Sequence, residues 1–472
     1  VAELDERPVS LLRRRMVPLI VAVALFMENL DGTVIATSLP QIARDLQADP
    51  IHLKLALTSY LLALAVFIPA SGWAADRFGA RLVFRLAIVV FAAGSIACAA
   101  SSTLPELIAA RVLQGIGGSM MMPVGRLIVL RAIPRGELVS ALAWLTVPAL
   151  LGPVVGPPLG GFITTYFDWR WIFWINVPVA AMGLVLVTLY IPDVRIDGVA
   201  GFDTRGFLLL GPGLAAFLTG VTLAGLSLVP VPVVVALVVG GIALLAAYVA
   251  HAAREAVPIV DLRLLRLPTF RASATGGTLF RVGVGALPFL LPLMLQFGFG
   301  LSAFQSGMLT FAAGFGALFM KFLAPPILRR WGFRRVLVGN AVLSALFILA
   351  PAAFAPTTPW AWMAGVLFVG GLSRSLQFTA LNAVAYADVP SDRLSSATSF
   401  ASVLQQLSGS IGITVAAFGL EAAHALMGGE ALALAHFPAV FALIAGVSFL
   451  SVIPFLRLSR QAGASLLPED RD

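Results

Sequence analysis

Gly72-Trp-Ala-Ala-Asp76-Arg77-Phe-Gly79-Ala-Arg81 is a short charged turn set between two apolar runs. A second such turn, Leu328-Arg329-Arg330-Trp331-Gly332-Phe333-Arg334-Arg335, places Gly332 at an offset of 253 residues from Gly79. Each turn reads arginine, glycine, arginine, and each separates apolar stretches of about 20 residues, the length a helix needs to cross a bilayer. Two like turns, each after the second helix of its own series, predict two related halves. Internal repeats around a central site are how secondary transporters are built.

Composition narrows the choice further. The chain of 472 residues is 59% hydrophobic and 11% charged, where soluble domains carry about 25% charged residues. Too few charges remain to cover a water-facing surface of this size, which excludes a soluble enzyme. The net charge of +8 comes from 31 basic and 23 acidic residues scattered along the whole chain, so nucleic-acid binding is excluded too. One cysteine, Cys98, and four scattered histidines offer neither a disulfide framework nor a Cys- or His-based metal centre. No nucleophile–base constellation stands out, and no enzymatic activity, metal or cofactor is expected. Lys54 and Lys321 are the sole lysines. With the abundant alanine and proline, that bias points to a G+C-rich bacterial genome. The apolar composition makes the expected location the bacterial inner (cytoplasmic) membrane, as a multi-pass protein.

Breaks at charges and Pro/Gly clusters predict an all-α polytopic membrane protein with fourteen spans. The first six are 17–38, 52–71, 82–101, 105–130, 138–163 and 171–190. Two more lie at 206–226 and 230–250, parted by a tight turn at Val229 and Pro230. The last six are 272–298, 304–325, 335–354, 360–386, 396–420 and 434–456. The apolar run after Arg13–Arg15 has the look of a signal peptide, but similar runs continue along the chain, and it reads as the first span. With both ends cytoplasmic, and residues within about three positions of a span end counted with the adjoining loop, 23 basic residues fall on the inner side, three (Arg44, Lys54 and Arg170) on the outer side and five deeper within spans. That bias is the positive-inside pattern. The expected plan is a cytoplasmic tail 1–16, a six-helix bundle 17–190, a linker with an additional helix pair 191–250, a cytoplasmic connector 251–271, a second six-helix bundle 272–456 and a cytoplasmic tail 457–472.

Charges inside spans are costly and mark function by default. Glu28 and Asp31 are three residues apart in the first span and share a helical face. At ~1.5 Å per residue, Asp31 lies ~21 Å from the inner end, while Arg111 lies ~9 Å from the outer end of the fourth span. Those depths match in a core of about 30 Å, so Asp31 and Arg111 either form a static ion pair or share a wet cavity. Desolvation favours protonated carboxylates and a nearby arginine opposes it, a balance suited to taking up and releasing protons. Arg281 and Arg374 are the deep cations of the second half, and both are candidates to line a cavity. Arg281 would need carbonyls, waters, Gln296, an anionic substrate or the Glu28/Asp31 pair as partner. Arg126 and Lys321 read as snorkelling side chains. Phe26, Met27 and Met121, soft and polarisable, are candidate pocket residues for greasy or cationic compounds.

Five stretches in order resemble the major facilitator superfamily, and more closely its fourteen-span drug:proton antiporter branch, including its multidrug transporters. Asp31-Gly-Thr-Val-Ile-Ala-Thr-Ser-Leu-Pro40 is similar to the first-span signature, and Gly72–Arg81 to the cytoplasmic loop motif. Arg111-Val-Leu-Gln114-Gly115-Ile-Gly117-Gly118 resembles the fourth-span motif, and Leu151-Gly152-Pro153-Val-Val-Gly156-Pro157-Pro158-Leu-Gly160-Gly161 the fifth-span antiporter motif. Asp168-Trp169-Arg170-Trp171-Ile-Phe173-Trp-Ile-Asn176-Val-Pro178 is similar to the start of the sixth span. The resemblance implies a proton-coupling role for Arg111 with Gln114 one turn along. It also implies a cytoplasmic latch of Gly72, Asp76, Arg77, Gly79 and Arg81. A pliable antiporter helix built on Gly152, Pro153, Gly156, Pro157, Gly160 and Gly161 completes the set.

The expected function is a monomeric secondary transporter that exports small amphipathic compounds or drugs by proton antiport with alternating access, its partners being substrate, protons and the lipid bilayer. An exporter of one specific metabolite, anionic in view of Arg281, is the alternative. A membrane scaffold or receptor fits poorly, because the longest inner connector is about 21 residues.

Overall fold

A computed structural model describes residues 11–132, 138–191, 201–224, 229–256, 258–390, 393–428 and 433–463. Much of the expected tails 1–16 and 457–472, and of the linker from 191 to 200, lies outside the described residues. The helices are α1 (Leu11–Asp45), α2 (Lys54–Phe78), α3 (Ala80–Ala100), α4 (Leu104–Ala132), α5 (Leu138–Tyr166), α6 (Trp171–Trp174), α7 (Asn176–Tyr190), α8 (Thr204–Leu223), α9 (Val231–Ala252) and α10 (Pro268–Leu293). They continue as α11 (Ala303–Leu349), α12 (Trp360–Ala385), α13 (Leu394–Met427), α14 (Phe437–Phe449) and α15 (Val452–Leu456). Among the described residues, eleven helical runs are long and apolar enough to cross a membrane, with the bent run Ala303–Ala353 counted once. Helices α5 and α12 occupy two further segments where spans are expected.

The repeated turns are single-residue bends rather than loops. Gly79 (φ 93°) separates α2 from α3, and Gly332 (φ 70°, ψ 160°) bends α11 so sharply that its two arms correspond to two expected spans. A side chain strains this left-handed backbone even where, as at Gly332, there is open space around it. Arg329 takes the place in the second turn that Asp76 holds in the first, so the bend is repeated and the carboxylate is not.

Inside a lipid phase, helices gain nothing from hiding apolar surface against one another, so close backbone approach has to supply the contact. Helix α5 does this on two faces. A methyl added at Gly152, Gly156 or Gly160 would run into Leu30, Thr33 or Val34 of α1. The Thr33 and Thr37 hydroxyls bond back to the carbonyls of Gly152 and Pro157, both at 3.4 Å. On its other face, Gly161 meets the backbone of Ala303 and Phe304, while Gly307 and Gly314 of α11 press on Pro157 and Val154. The second cross-contact runs between α2 and α13.

Side-chain bonds between the two series gather at the end that carries Trp169. Gln296 Nε2 donates to Thr37 O, and Phe304 N donates to Thr165 Oγ1, each at 2.9 Å. Lys54 Nζ, fully buried, stands 3.6 Å from Glu421 Oε1. Trp169 itself donates to Asp45 Oδ2 at 2.8 Å and pins the end of α1.

Helices α8 and α9 form a tight pair through Gly213, Gly220 and Gly241, and α8 touches α2 at Val66 and α13 at Thr414. Much of α9 faces outward, with Val231, Val235 and Val239 all exposed. Asp203 caps α8 by accepting from Gly206 N, and it also bonds His251 and Ile259 N. Burial alone would raise its carboxyl, but these hydrogen bonds outweigh burial and hold it below the usual carboxylate range.

The α1–α5 contact gives a direct test. Gly160→Val should destabilise the folded protein by about 1–3 kcal/mol through overpacking against backbone. Gly240→Val, with nothing within 4 Å of the added carbon, should leave the melting temperature in detergent unchanged.

Candidate functional site

Four helices bring buried polar groups together around Asp31. Its side chain is fully buried, and the hydrogen bonds it accepts all come from N–H groups. Arg111 Nη1 donates to Oδ2 at 2.6 Å, while Gln114 Nε2 and Asn176 Nδ2 each donate to Oδ1 at 2.8 Å. Arg111 and Gln114 stand one turn apart on α4, and Asn176 opens α7. Ser95 of α3 accepts from Asn176 at 2.9 Å and from Gln114 at 3.3 Å, and it donates to Phe173 O at 3.0 Å.

Arg111 is held on every side. Its Nη1 also donates to Gln114 Oε1 at 2.6 Å, its Nε donates to Ala56 O at 3.2 Å, and its guanidinium lies 4.2 Å from the centre of the Tyr60 ring. Both Asp31 oxygens accept from N–H groups, and Arg111 supplies the countercharge. Asp31 and Arg111 thus neutralise each other inside a set of further hydrogen bonds, the condition under which a buried ion pair is tolerated.

Glu28, three residues away, has no such company. It is 8% exposed, and its Oε2 is buried without a hydrogen-bond partner. An ionised carboxylate buried and unpaired is among the costliest groups a membrane interior can hold. The two acids share a helical face in the sequence, yet one is caged and the other is not.

The other expected residues fall in distinct places. Met27 and Met121 are packed into the core with Tyr60, Phe84 and Phe91, and Phe26 is half-buried. Arg81 donates to Thr188 O of α7, and Trp73 lies 4.7 Å from the Phe202 ring. These contacts of the loop motif stay within the first series and the segment leading into α8. Arg126 is exposed. Arg374 is half-buried and donates from Nε to Gly370 O at 3.3 Å, and Arg281 reaches Asn382 Oδ1 at 3.4 Å. Gln296 turns to Thr37 instead of Arg281.

Two members of the site carry no role in the sequence reading. Asn176 and Ser95 complete the Asp31 cage, and the signal for Asn176 is an amide placed in an otherwise apolar span. Arg374-Ser-Leu-Gln377 repeats Arg111-Val-Leu-Gln114, and Gln377 joins a buried network with Asn340, Ser344 and Ser373. That second network contains no acid. One group among the described residues, Asp203, His251 and Glu255, brings three metal-capable atoms within 4.8 Å of one another, but the Asp203 oxygens there are already engaged by Gly206, His251 and Ile259.

Long apolar helices packed through glycine, related turns and a neutralised charge cage inside the first series define a polytopic secondary transporter, not an enzyme. The Major Facilitator Superfamily model matches residues 21–413 and 273–471, and the chain belongs to that family. It transports small molecules across the bacterial inner membrane by alternating access. Its relatives include MdtD of Serratia proteamaculans, which bears a multidrug-resistance name and is 41% identical over 401 residues, covering 84% of this chain and 83% of that one. MdtD of Pectobacterium carotovorum is likewise 41% identical, over 403 residues, covering 84% and 85%. The fold is shared with a peptide transporter of the POT family (TM-score 0.71, 16% identity, 94% and 97% covered). It is shared too with the D-xylose-proton symporter (0.68, 15%, 95% and 99%) and the human organic anion transporter TETRAN (0.64, 17%, 94% and 99%).

Asn176→Ala removes a neutral donor from a buried carboxylate and should lower stability by about 1.5–3 kcal/mol, read by thermal unfolding in detergent. Arg111→Lys keeps the charge but loses the fork that reaches Asp31, Gln114 and Ala56 together, so it should be nearly as damaging as Arg111→Ala.

Proposed function

We propose that the protein is a proton-coupled exporter of small amphipathic compounds, with Glu28 as the proton carrier and the Asp31–Arg111 pair as its fixed neighbour. The observation that carries this is the contrast between the two acids. Asp31 accepts three N–H donors, whereas the buried Oε2 of Glu28 has none. A proton on Glu28 removes a buried charge that the exposed Arg126 offsets only through space, and its loss requires contact with water. Proton uptake and release are thereby tied to which side of the membrane the site faces.

The frame around this site is fourteen spans in two six-helix bundles with both ends cytoplasmic, and α8 and α9 stand outside the transport path. The 23-to-3 bias of arginine and lysine supports that orientation. It assigns the Trp169 end to the outer face, where the Gln296–Thr37 and Phe304–Thr165 hydrogen bonds and the Lys54–Glu421 ion pair hold the two bundles together. Helix α5, which meets α1 through Gly152, Gly156 and Gly160 and α11 through Gly161, Val154 and Pro157, is the surface along which the bundles rock. Asp76, Arg77 and Arg81 with Gly72 and Gly79 form the opposing inner latch. The unit of transport is the monomer, and the multidrug name carried by the MdtD relatives supports the compound class.

Substrate-driven proton flux in proteoliposomes, with a panel of amphipathic compounds, tests the assignment. Glu28→Gln should abolish coupled flux while keeping substrate binding and folded yield. Asp31→Asn should lose flux together with thermal stability, because it breaks the cage. Wild-type flux in Glu28→Gln refutes the carrier role.

A further inference from the structure

No acidic residue occurs between Asp261 and Asp388, yet this stretch supplies Arg281, Lys321 and Arg374 to the interiors of α10, α11 and α12. Two of the three reach α12 three residues apart, Arg281 at Asn382 and Lys321 at Thr379. Arg281 is 5% exposed, with Nη2 at 3.4 Å from Asn382 Oδ1, and its guanidinium lies 5.9 Å from the centre of the Phe378 ring. Its Nε is buried with no hydrogen-bond partner. Lys321 is half-buried and donates to Thr379 Oγ1 at 2.9 Å, which engages one of its three N–H groups.

Depth agrees as well. At 1.5 Å per residue, Arg281 stands about 20 Å from the start of α10 and Lys321 about 16 Å from the bend at Gly332, both measured from the same end. Asn382, on the same turn, is exposed. A carboxamide does not face hydrocarbon without cost, so Asn382 marks a polar opening onto the turn. Lys321 therefore does more than snorkel, since its ammonium is bonded inward, to α12.

In the first series the deep cation Arg111 has Asp31. Here the cations are kept and the anion is missing. Buried cations without a counter-ion are unfavourable, and an anion seated between them would satisfy the orphaned Nε and the free ammonium donors by charge-assisted hydrogen bonds. We infer that Arg281 and Lys321, at the Phe378–Asn382 turn, form an anion-binding subsite, and that the exported compound carries an acidic group, a carboxylate, sulfonate or phosphate, beside its apolar body. This deepens the exporter reading above and rests on it for the direction of transport, not for binding.

The test is equilibrium binding to the full chain in phosphatidylcholine nanodiscs, with 1-pyrenebutyrate and its carboxamide as a matched probe pair. The acid should bind about tenfold more tightly than the amide, the worth of a charge-assisted hydrogen bond. Arg281→Gln and Lys321→Gln should each erase that preference and leave amide binding unchanged, and Arg281→Lys should retain most of it. Glu28→Gln should keep the preference, so failure of proton coupling and failure of the anion subsite are read separately. Equal binding of acid and amide by the wild type overturns the proposal, as does an undiminished preference in whichever glutamine variant remains folded. In nanodiscs containing phosphatidylglycerol the acid should bind as before. Abolition of its binding there assigns the site to a lipid head group and overturns the substrate assignment.

Discussion

A guanidinium in the middle of a membrane protein has to be answered, and the first series of helices is organised by the answer to Arg111. Asp31 neutralises it, Gln114 and Asn176 fill the second carboxylate oxygen, the Ala56 carbonyl takes Nε and the Tyr60 ring covers its face. These contacts draw α1, α2, α4 and α7 to one point at a fixed depth. The close glycine approaches of Gly115 to Tyr60 and of Gly94 to Gln114 follow from that gathering, since the polar groups meet only if the backbones do. Glu28, on the same face of α1, takes no part in that set, and its Oε2 is buried without a hydrogen-bond partner.

The second series inherits the frame and not the answer. Arg374 and Gln377 repeat the spacing of Arg111 and Gln114, and Gly332 repeats the left-handed bend of Gly79. The left-handed bend recurs, while the carboxylate beside it does not. An Asn–Ser–Gln network fills the interior there, and the deep cations are left to neutral partners. The two series therefore differ in charge, one holding Glu28 and the Asp31–Arg111 pair and the other Arg281, Lys321 and Arg374 with no acid in α10, α11 or α12.

Much of this was legible in the sequence because the membrane imposes simple rules. Span length and the bias of arginine gave the helix positions, and equal depth along opposed helices placed Asp31 beside Arg111. The five ordered motifs gave the family. What could not be read was which of two acids on one face would be caged. That depends on Asn176 and Ser95, which come from helices whose rotation no spacing rule fixes. Met27 and Met121 look like pocket residues by type, and both are buried in a cluster with Tyr60 and Phe91. Lys321 was hidden by its length, since a long side chain near a helix end has an ordinary explanation until Thr379 is seen to hold it.

Helix α5 bears on how this transporter can change over generations. At Gly160 and Gly161 it meets the main chain of α1 and α11, so even one methyl there collides with backbone that has no rotamer to yield. At Gly156 the first obstacle is the Thr33 hydroxyl, which leaves room for a small adjustment. Adaptation toward a new cargo is thereby steered away from the tightest of these contacts and toward side chains that line the route without bearing on them, so the packing is held constant while the chemistry of the passage stays open to drift.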